Sequence, residues 1–236
     1  MVKFWVGFAL LIAAIATVSQ WHGPDIGGAP GLHFDFGRDR GERGSGVAAT
    51  ETRTVGEFSS IHAEGSSIIE VQVREGLART VEISTDDNLL KVIKTEVAAG
   101  VLEISAAADI DPQGDIHVKV TTPTLAGIHL EGANRLKLDI DSPGALDLHL
   151  EGAGGVRAAG RIGRLSVHSE GAGSIDAAEL IARAVDIHIE GAGRANVNAS
   201  ESLKARIEGA GLIRYSGNPP SVEKDIEGIG RISPTD

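Results

Sequence analysis

The chain has 236 residues, a formal net charge of −11, 42% hydrophobic residues, 31 glycines and no cysteine. Without cysteine, disulfides, thiolate metal sites and a lipid-anchored N-terminal cysteine are excluded. The acidic balance argues against a nucleic-acid partner, because phosphate binding requires a basic surface.

The first 19 residues have the composition of an export segment. Lys3 precedes an apolar run, Phe4 to Val18, whose 15 residues are short for a membrane span. We therefore predict a signal peptide over residues 1–19, with an uncleaved N-terminal anchor as the alternative. The rest of the chain is expected in the periplasm, at the cell surface or outside the cell, and any membrane contact only through this segment if it is retained.

Two further regions precede the most regular part of the sequence. Residues 20–54 are rich in Gly, Pro, Asp and Arg, which predicts a flexible linker. Residues 55–122 contain short alternating apolar and polar runs, for example Ile69 to Val73, and are expected to be rich in strands.

A repeat dominates residues 123–236. A Glu-Gly pair recurs every 18 to 20 residues, which is typical of a solenoid. The six glutamates are Glu131, Glu151, Glu170, Glu190, Glu208 and Glu227. Apolar and polar residues alternate before each glutamate, as in Leu148-His149-Leu150, and this is strand periodicity. The prediction is an all-β fold: a single-stranded parallel β-helix (solenoid) of about six 19-residue rungs, preceded by the strand-rich N-terminal part.

Glycines mark the predicted corners of the repeat. One Gly follows each glutamate and a second stands two residues later, except that the first copy has Asn134 there. Asn is the residue that best replaces Gly at positive φ. The predicted corner residues are Gly132, Asn134, Gly152, Gly154, Gly171, Gly173, Gly191, Gly193, Gly209 and Gly211.

The outward positions of the repeat form columns of ionisable side chains. Neighbouring strands lie about 4.8 Å apart, so two histidines and a glutamate could converge on one zinc-sized cation. The candidate metal ligands are His129, Glu131, Asp147, His149, Glu151, His168, Glu170, Asp186, His188 and Glu190. The alternative is a solvated ladder in which histidines relieve repulsion between carboxylates. No cofactor is predicted, a divalent cation being the alternative.

Several motifs follow one another along the chain: Asp87-Asn88-Leu89-Leu90, Gly100 to Ile104, Val118 to Leu125 and the repeated Gly-Ala-Gly tetrads. Taken in this order, they resemble the GIN-domain family, which is named as the putative head domain of auto-transporter adhesins. The resemblance covers about residues 55–232 and implies a single-stranded β-helix, a secreted, cell-surface or periplasmic setting, and no known catalytic activity. The family usually carries Ser before Gly-Ala-Gly, whereas every copy here has Glu, so no role of that serine transfers.

The expected function is that of a non-enzymatic structural or adhesin-like module of the cell envelope. Neither a catalytic triad nor a nucleophile elbow stands out from the repeat. The partner is expected to be a protein or polysaccharide of the envelope or cell surface, with homo-oligomerisation as a further option. The alternatives are a divalent-metal-binding protein and a carbohydrate-binding or carbohydrate-cleaving β-helix. Sugar-stacking platforms are scarce, since Tyr215 is the only aromatic residue after Phe58.

Overall fold

The computed structural model describes residues 41–235, which belong to one compact unit. The predicted export segment, residues 1–19, and the first part of the predicted linker lie outside the described residues. Within the described range, no helix is long and apolar enough to span a membrane.

The described chain is all-β, as the alternating sequence pattern predicted, with strands and turns and no helix in this range. The first nine strands are β1 (Glu42–Arg43), β2 (Ala48–Thr54), β3 (Ser60–Gly65), β4 (Ile68–Val73), β5 (Thr80–Asp86), β6 (Ile93–Ala98), β7 (Val101–Ala106), β8 (Ile110–Asp111) and β9 (His117–Thr122). The repeat region contains β10 (Gly127–Gly132), β11 (Arg135–Gly152), β12 (Gly155–Gly171), β13 (Ser174–Ser216) and β14 (Ser221–Pro234).

The folded part begins earlier than the sequence predicted. Residues 42–54 fall within the expected linker, yet β1 pairs with β8, and β2 pairs with β5 along its whole length. The alternation of β2 is hard to recognise because its outward and inward positions are both polar or small. Only Ala49 and Arg53 are partly buried in this strand.

The main sheet is mixed rather than uniformly parallel. Strands β10 to β14 and their neighbours β3, β4, β7 and β9 pair in parallel. Strands β2, β5 and β6 pair antiparallel at the N-terminal end. A six-rung parallel β-helix is therefore not an adequate description of the whole domain. The antiparallel strands cover what would otherwise be exposed parallel edges, which are prone to unwanted strand pairing.

The predicted boundary near residue 122 does not divide the structure. Strand β3 pairs in register with β10, so that Glu64 lies opposite Glu131, and β4 pairs with the first third of β11. Residues 60–73 thus form an additional copy of the repeat, separated from the others in sequence by β5 to β9. In the sequence, this copy carries the same Glu-Gly pair at Glu64-Gly65, with His62 two residues before the glutamate.

The predicted inward columns form one continuous hydrophobic core. Leu146, Leu148 and Leu150 are 0%, 2% and 4% exposed, whereas the intervening Asp147 and His149 face solvent. The same alternation recurs in β12 and β13, and their inward residues join the same cluster. Full burial of one such aliphatic side chain contributes roughly 1.5–3 kcal/mol, so the stacked columns are the main source of stability.

The two predicted glycine columns differ in their physical role. The glycine directly after each glutamate has a positive φ, for example +105° at Gly171, and a Cβ there would lie 2.5 Å from the carbonyl oxygen of Gly152. The second glycines have no positive φ. At these positions space is limited instead: a Cβ on Gly154 would lie 2.9 Å from the Asn134 carbonyl oxygen, and a Cβ on Gly193 would lie 2.9 Å from the Ile189 side chain.

Asn134 does not adopt the positive φ that the sequence predicted for it. This residue is 1% exposed, and its side chain hydrogen-bonds the additional copy to the copy that begins with β10. The amide oxygen accepts hydrogen bonds from the backbone N–H and hydroxyl of Ser67, and the amide nitrogen donates to the Glu131 carbonyl at 2.8 Å. Asparagine is needed here for its polar atoms, because it links two copies 67 residues apart.

The last strand of the stack, β14, pairs with β13 along one edge, and no described strand pairs with its other edge. Val222 and Ile226 are aligned with core columns but are 38% and 41% exposed. Lys224 occupies the inward position between them. Its ammonium lies 4.8 Å above the Tyr215 ring and donates to the Ile232 carbonyl, so its polar end is satisfied.

Candidate functional site

The parallel register places two columns of ionisable side chains on one exposed face. We call this the His/Glu face. Histidine lies opposite histidine and glutamate opposite glutamate from β3 to the Glu190 copy in β13, because each of these five copies has His two residues before Glu. Arg206 and Asp225 take the histidine position in the last two copies. The aligned histidines are His62, His129, His149, His168 and His188. The four histidines predicted to share a column do so, and His62 is a fifth that sequence reasoning did not assign.

Most of these imidazoles lie between two carboxylates of successive copies. His129 Nε2 is 3.6 Å from Glu131 and 3.2 Å from Glu151. His188 Nε2 is 3.6 Å from Glu190 and 3.2 Å from Glu208. Partly exposed ion pairs of this kind contribute at most about 1 kcal/mol each. The columns therefore contribute more to the chemistry of the face than to folding.

His62 has the most extensive set of partners in the column. Its Nδ1 lies 2.8 Å from Glu103 on β7, and its Nε2 lies 3.0 Å from Glu131 on β10. Partial burial lowers the pKa of His62, but the hydrogen bond that its Nε2–H donates to Glu131 and the charges of Glu103 and Glu131 outweigh this effect, so the pKa is raised above its usual value. These carboxylates hold the ring in place from both sides.

The candidate ligands do not all come together. Among the described residues, two groups have three ligand atoms within 4.8 Å of one another: His62 with His129 and Glu131, and His168 with His188 and Glu190. We call these the N-terminal trio and the C-terminal trio. The other candidates, Asp147, His149, Glu151, Glu170 and Asp186, lie on the same face but outside both trios.

Ring spacing along the column follows the same division. The ring centroids of His62 and His129 are 4.8 Å apart, and those of His168 and His188 are 5.1 Å apart. His149 lies between these pairs, 5.9 Å from His129 and 5.7 Å from His168. The column is thus two close pairs with His149 as a spacer, which a fixed strand interval alone would not predict.

A separate cavity of about 670 Å³ lies at the corner of the additional repeat copy. Its walls include Ser67, Asp109, Asp115, Ile116 and Arg135. Sequence reasoning did not identify it, because it is formed by segments far apart in the chain. Its lining mixes polar and apolar groups and contains no cluster of potential metal ligands.

The fold and the face together define a class: an all-β repeat domain that presents aligned ionisable side chains along one surface. The chain belongs to the family described as the putative auto-transporter adhesin, head GIN domain, whose profile matches residues 57–219. The resemblance in the motifs is thereby confirmed. No curated protein matches the chain.

Several solved structures are similar to this chain. A putative adhesin from Bacteroides fragilis NCTC 9343 is 25% identical with a TM-score of 0.60, over 82% of this chain and 99% of that one. A putative lipid binding protein from Parabacteroides distasonis ATCC 8503 is 21% identical with a TM-score of 0.49, over 82% and 99%. A putative adhesin from Parabacteroides merdae ATCC 43184 is 19% identical with a TM-score of 0.47, over 82% and 98%.

The family and the Bacteroides fragilis relative are both named as adhesins. These names support an adhesin-like module with a non-catalytic role, and a surface or exported protein.

Proposed function

We propose that the chain is an exported module of the cell envelope that binds a partner through the His/Glu face. The observation that carries this proposal is the register: Glu64, Glu131, Glu151, Glu170 and Glu190 lie opposite one another in successive strands. A repeated surface of identical side chains suits an extended ligand, and solenoid proteins commonly use such a surface.

The parallel part of the sheet acts in this proposal as a β-helical rod. Strands about 4.8 Å apart give a length of roughly 29 Å for the six steps from Glu64 to Glu227. Backbone pairing along both edges of the internal copies favours a rigid face, since the strands of each copy are bonded to the copies before and after it. A rigid surface loses little conformational entropy on binding.

A protein partner fits the face better than a polysaccharide. Sugar binding commonly uses exposed aromatic rings, and the described residues include two aromatic side chains of this type, Phe58 and Tyr215. Phe58 is 3% exposed, and Tyr215 is partly buried beneath Lys224. The exposed carboxylates instead favour a basic partner, because clustered charge of one sign accelerates association with the opposite sign. Homo-oligomerisation stays a prediction.

Display of the full-length chain on a non-adherent bacterium would test the proposal. Attachment is measured to surfaces coated with basic proteins or with polysaccharides, for the unaltered chain and for E151Q/E170Q/E190Q. The matched control, E57Q/E75Q/E201Q, removes the same charge from exposed positions outside the His/Glu face. Surface display is equalised by antibody staining.

We expect strong attachment to the protein-coated surface, a loss for E151Q/E170Q/E190Q, and normal attachment for the control. Equal losses in both triple variants would indicate a general charge effect and contradict a face-specific role. Attachment confined to polysaccharide would support the carbohydrate alternative in place of the protein partner.

A further inference from the structure

We propose that the His/Glu face holds two binding sites for a zinc-type transition-metal ion, one at the N-terminal trio and one at the C-terminal trio. Each trio supplies two imidazole nitrogens and one carboxylate oxygen from neighbouring strands. This inference is independent of adhesion, because it concerns an ion bound by the isolated chain.

The ligand set selects the type of ion. Imidazole is a good ligand for Zn²⁺, Cu²⁺ and Ni²⁺, whereas Ca²⁺ and Mg²⁺ prefer sites made entirely of oxygen. Two histidines and one carboxylate provide three protein ligands, and a water molecule completes a tetrahedral zinc site of the open kind. Aligned copies of one short sequence are sufficient to build such a set, because each strand contributes the same two side chains.

The N-terminal trio already has convergent geometry. His62 Nε2 and His129 Nε2 lie 3.0 and 3.6 Å from the same oxygen, Glu131 Oε1. Zinc–nitrogen bonds of 2.0–2.1 Å place tetrahedral ligand atoms about 3.3 Å apart. The present spacing of up to 4.8 Å therefore has to shrink by at most about 1.5 Å, a movement within reach of side-chain rotation. The three side chains are 22%, 38% and 42% exposed, so an ion can reach them.

Glu103 supports the N-terminal trio without being one of its ligands, because histidines that bind metals commonly donate their other ring N–H to a carboxylate. It lies 2.8 Å from His62 Nδ1, on the side of the ring that faces away from Glu131. A carboxylate in this position accepts a hydrogen bond from Nδ1–H, which fixes the tautomer whose Nε2 lone pair is free for a metal and increases the basicity of the ring. The carboxylate comes from β7, so the arrangement depends on the pairing of His62 with Glu103 across β3 and β7.

The C-terminal trio has a different supporting feature. Within residues 41–235, His188 Nε2 is inaccessible to solvent and has no hydrogen-bond partner, although Glu190 and Glu208 lie 3.6 and 3.2 Å away. Buried polar atoms without a partner are uncommon in proteins and often mark a missing water or ion. His168 Nε2 lies 3.9 Å from the same Glu190 oxygen, which places both rings around one carboxylate.

His149 separates the two sites. Its ring is farther from each neighbour than the paired rings are from one another, and no ion pair involves it among the described residues. A column that bound metal by repetition alone would use every histidine equally. The uneven spacing instead assigns one ion to each close pair and none to His149.

Calorimetric titration of the full-length, chelator-treated chain with zinc tests the assignment. We expect two ions per chain for the unaltered chain, one for H129A, one for H188A and none for the double variant. Two matched controls should keep both ions: H149A removes the spacer of the same column, and H117A removes a histidine on β9. Calcium should give no comparable binding, because the trios are rich in nitrogen.

A second variant separates metal binding from loss of fold. Glu103 is outside the ligand set, so E103Q should keep the stoichiometry at two but weaken one site by about 10- to 100-fold. Circular dichroism confirms that each variant keeps its strand content, and H129Q replaces H129A if the latter unfolds. A chain that binds no zinc, or whose zinc stoichiometry is the same in H129A and H188A as in the unaltered chain, would overturn the proposal. Calcium binding as tight as zinc binding would also overturn it.

Discussion

Substitution of Gly171 by alanine should destabilise the stack at one identified corner. The φ of Gly171 is +105°, and an added Cβ would lie 2.5 Å from the carbonyl oxygen of Gly152 in the preceding copy. A side chain held in this backbone region costs on the order of 1–3 kcal/mol. Relief of the backbone clash adds about 1–3 kcal/mol, the usual cost of overpacking. We therefore expect a loss of roughly 2–6 kcal/mol, a large fraction of the typical 5–15 kcal/mol.

Gly155 provides a matched control in the same part of the stack. Its φ is not in the positive range, and a Cβ there would meet its nearest atom, the Ser174 carbonyl oxygen, at an ordinary 3.9 Å. Alanine at such a position usually stabilises by about 0.4–1 kcal/mol, because the unfolded chain loses conformational freedom.

Urea denaturation of G171A and G155A, followed by far-UV circular dichroism, measures both effects. The midpoint should fall strongly for G171A and stay or rise slightly for G155A, with similar slopes. Equal midpoints for the two variants would show that the corner accommodates a side chain, and the explanation of the first glycine column would then be wrong.

Two further predictions concern the N-terminal half of the stack. N134A should lower the free energy of unfolding by about 1–3 kcal/mol in a thermal melt, because the partly buried N–H and hydroxyl of Ser67 lose their acceptor; S67A, which removes the hydroxyl but keeps the N–H bonded to Asn134, should lose less, and equal losses would contradict this account. In metal-free protein, NMR titration should give His62 a pKa above the usual histidine value, and E131Q should lower it. Because this pKa is raised on folding, the stabilisation by protonated His62 is complete below the unfolded pKa and is lost as pH rises through the folded one. A His62 pKa at or below the usual value would refute the role of Glu103 and Glu131.

Much of the fold could be read from local patterns. Period-two alternation identified the strands of the repeat, and the recurring Glu-Gly pair predicted their register, since a shift by one residue would turn the leucines of β11 toward solvent. His129, His149, His168 and His188 share a column for the same reason. Repetition at a fixed interval is sufficient to align identical residues, because parallel strands pair equivalent positions.

Strand pairing could not be predicted from the sequence where the repeat is interrupted. Strand β3 joins the stack although β5 to β9 separate it from β10, and β2 lies in a segment that composition assigned to a linker. The contact between His62 and Glu131 spans 69 residues, so no window of local sequence reveals it. Long-range pairing of this kind depends on which edges the folded sheet leaves available.

The sequence by itself determined the all-β class, the inward columns and the glutamate register, because each follows from side-chain alternation and a constant interval. Only the tertiary structure decided that the sheet is mixed, that His62 and Glu103 extend the His/Glu face, and that His149 separates two close pairs of rings. The physical reason is that alternation specifies which way a side chain points, whereas its neighbours across the sheet are set by the packing of strands distant in the chain.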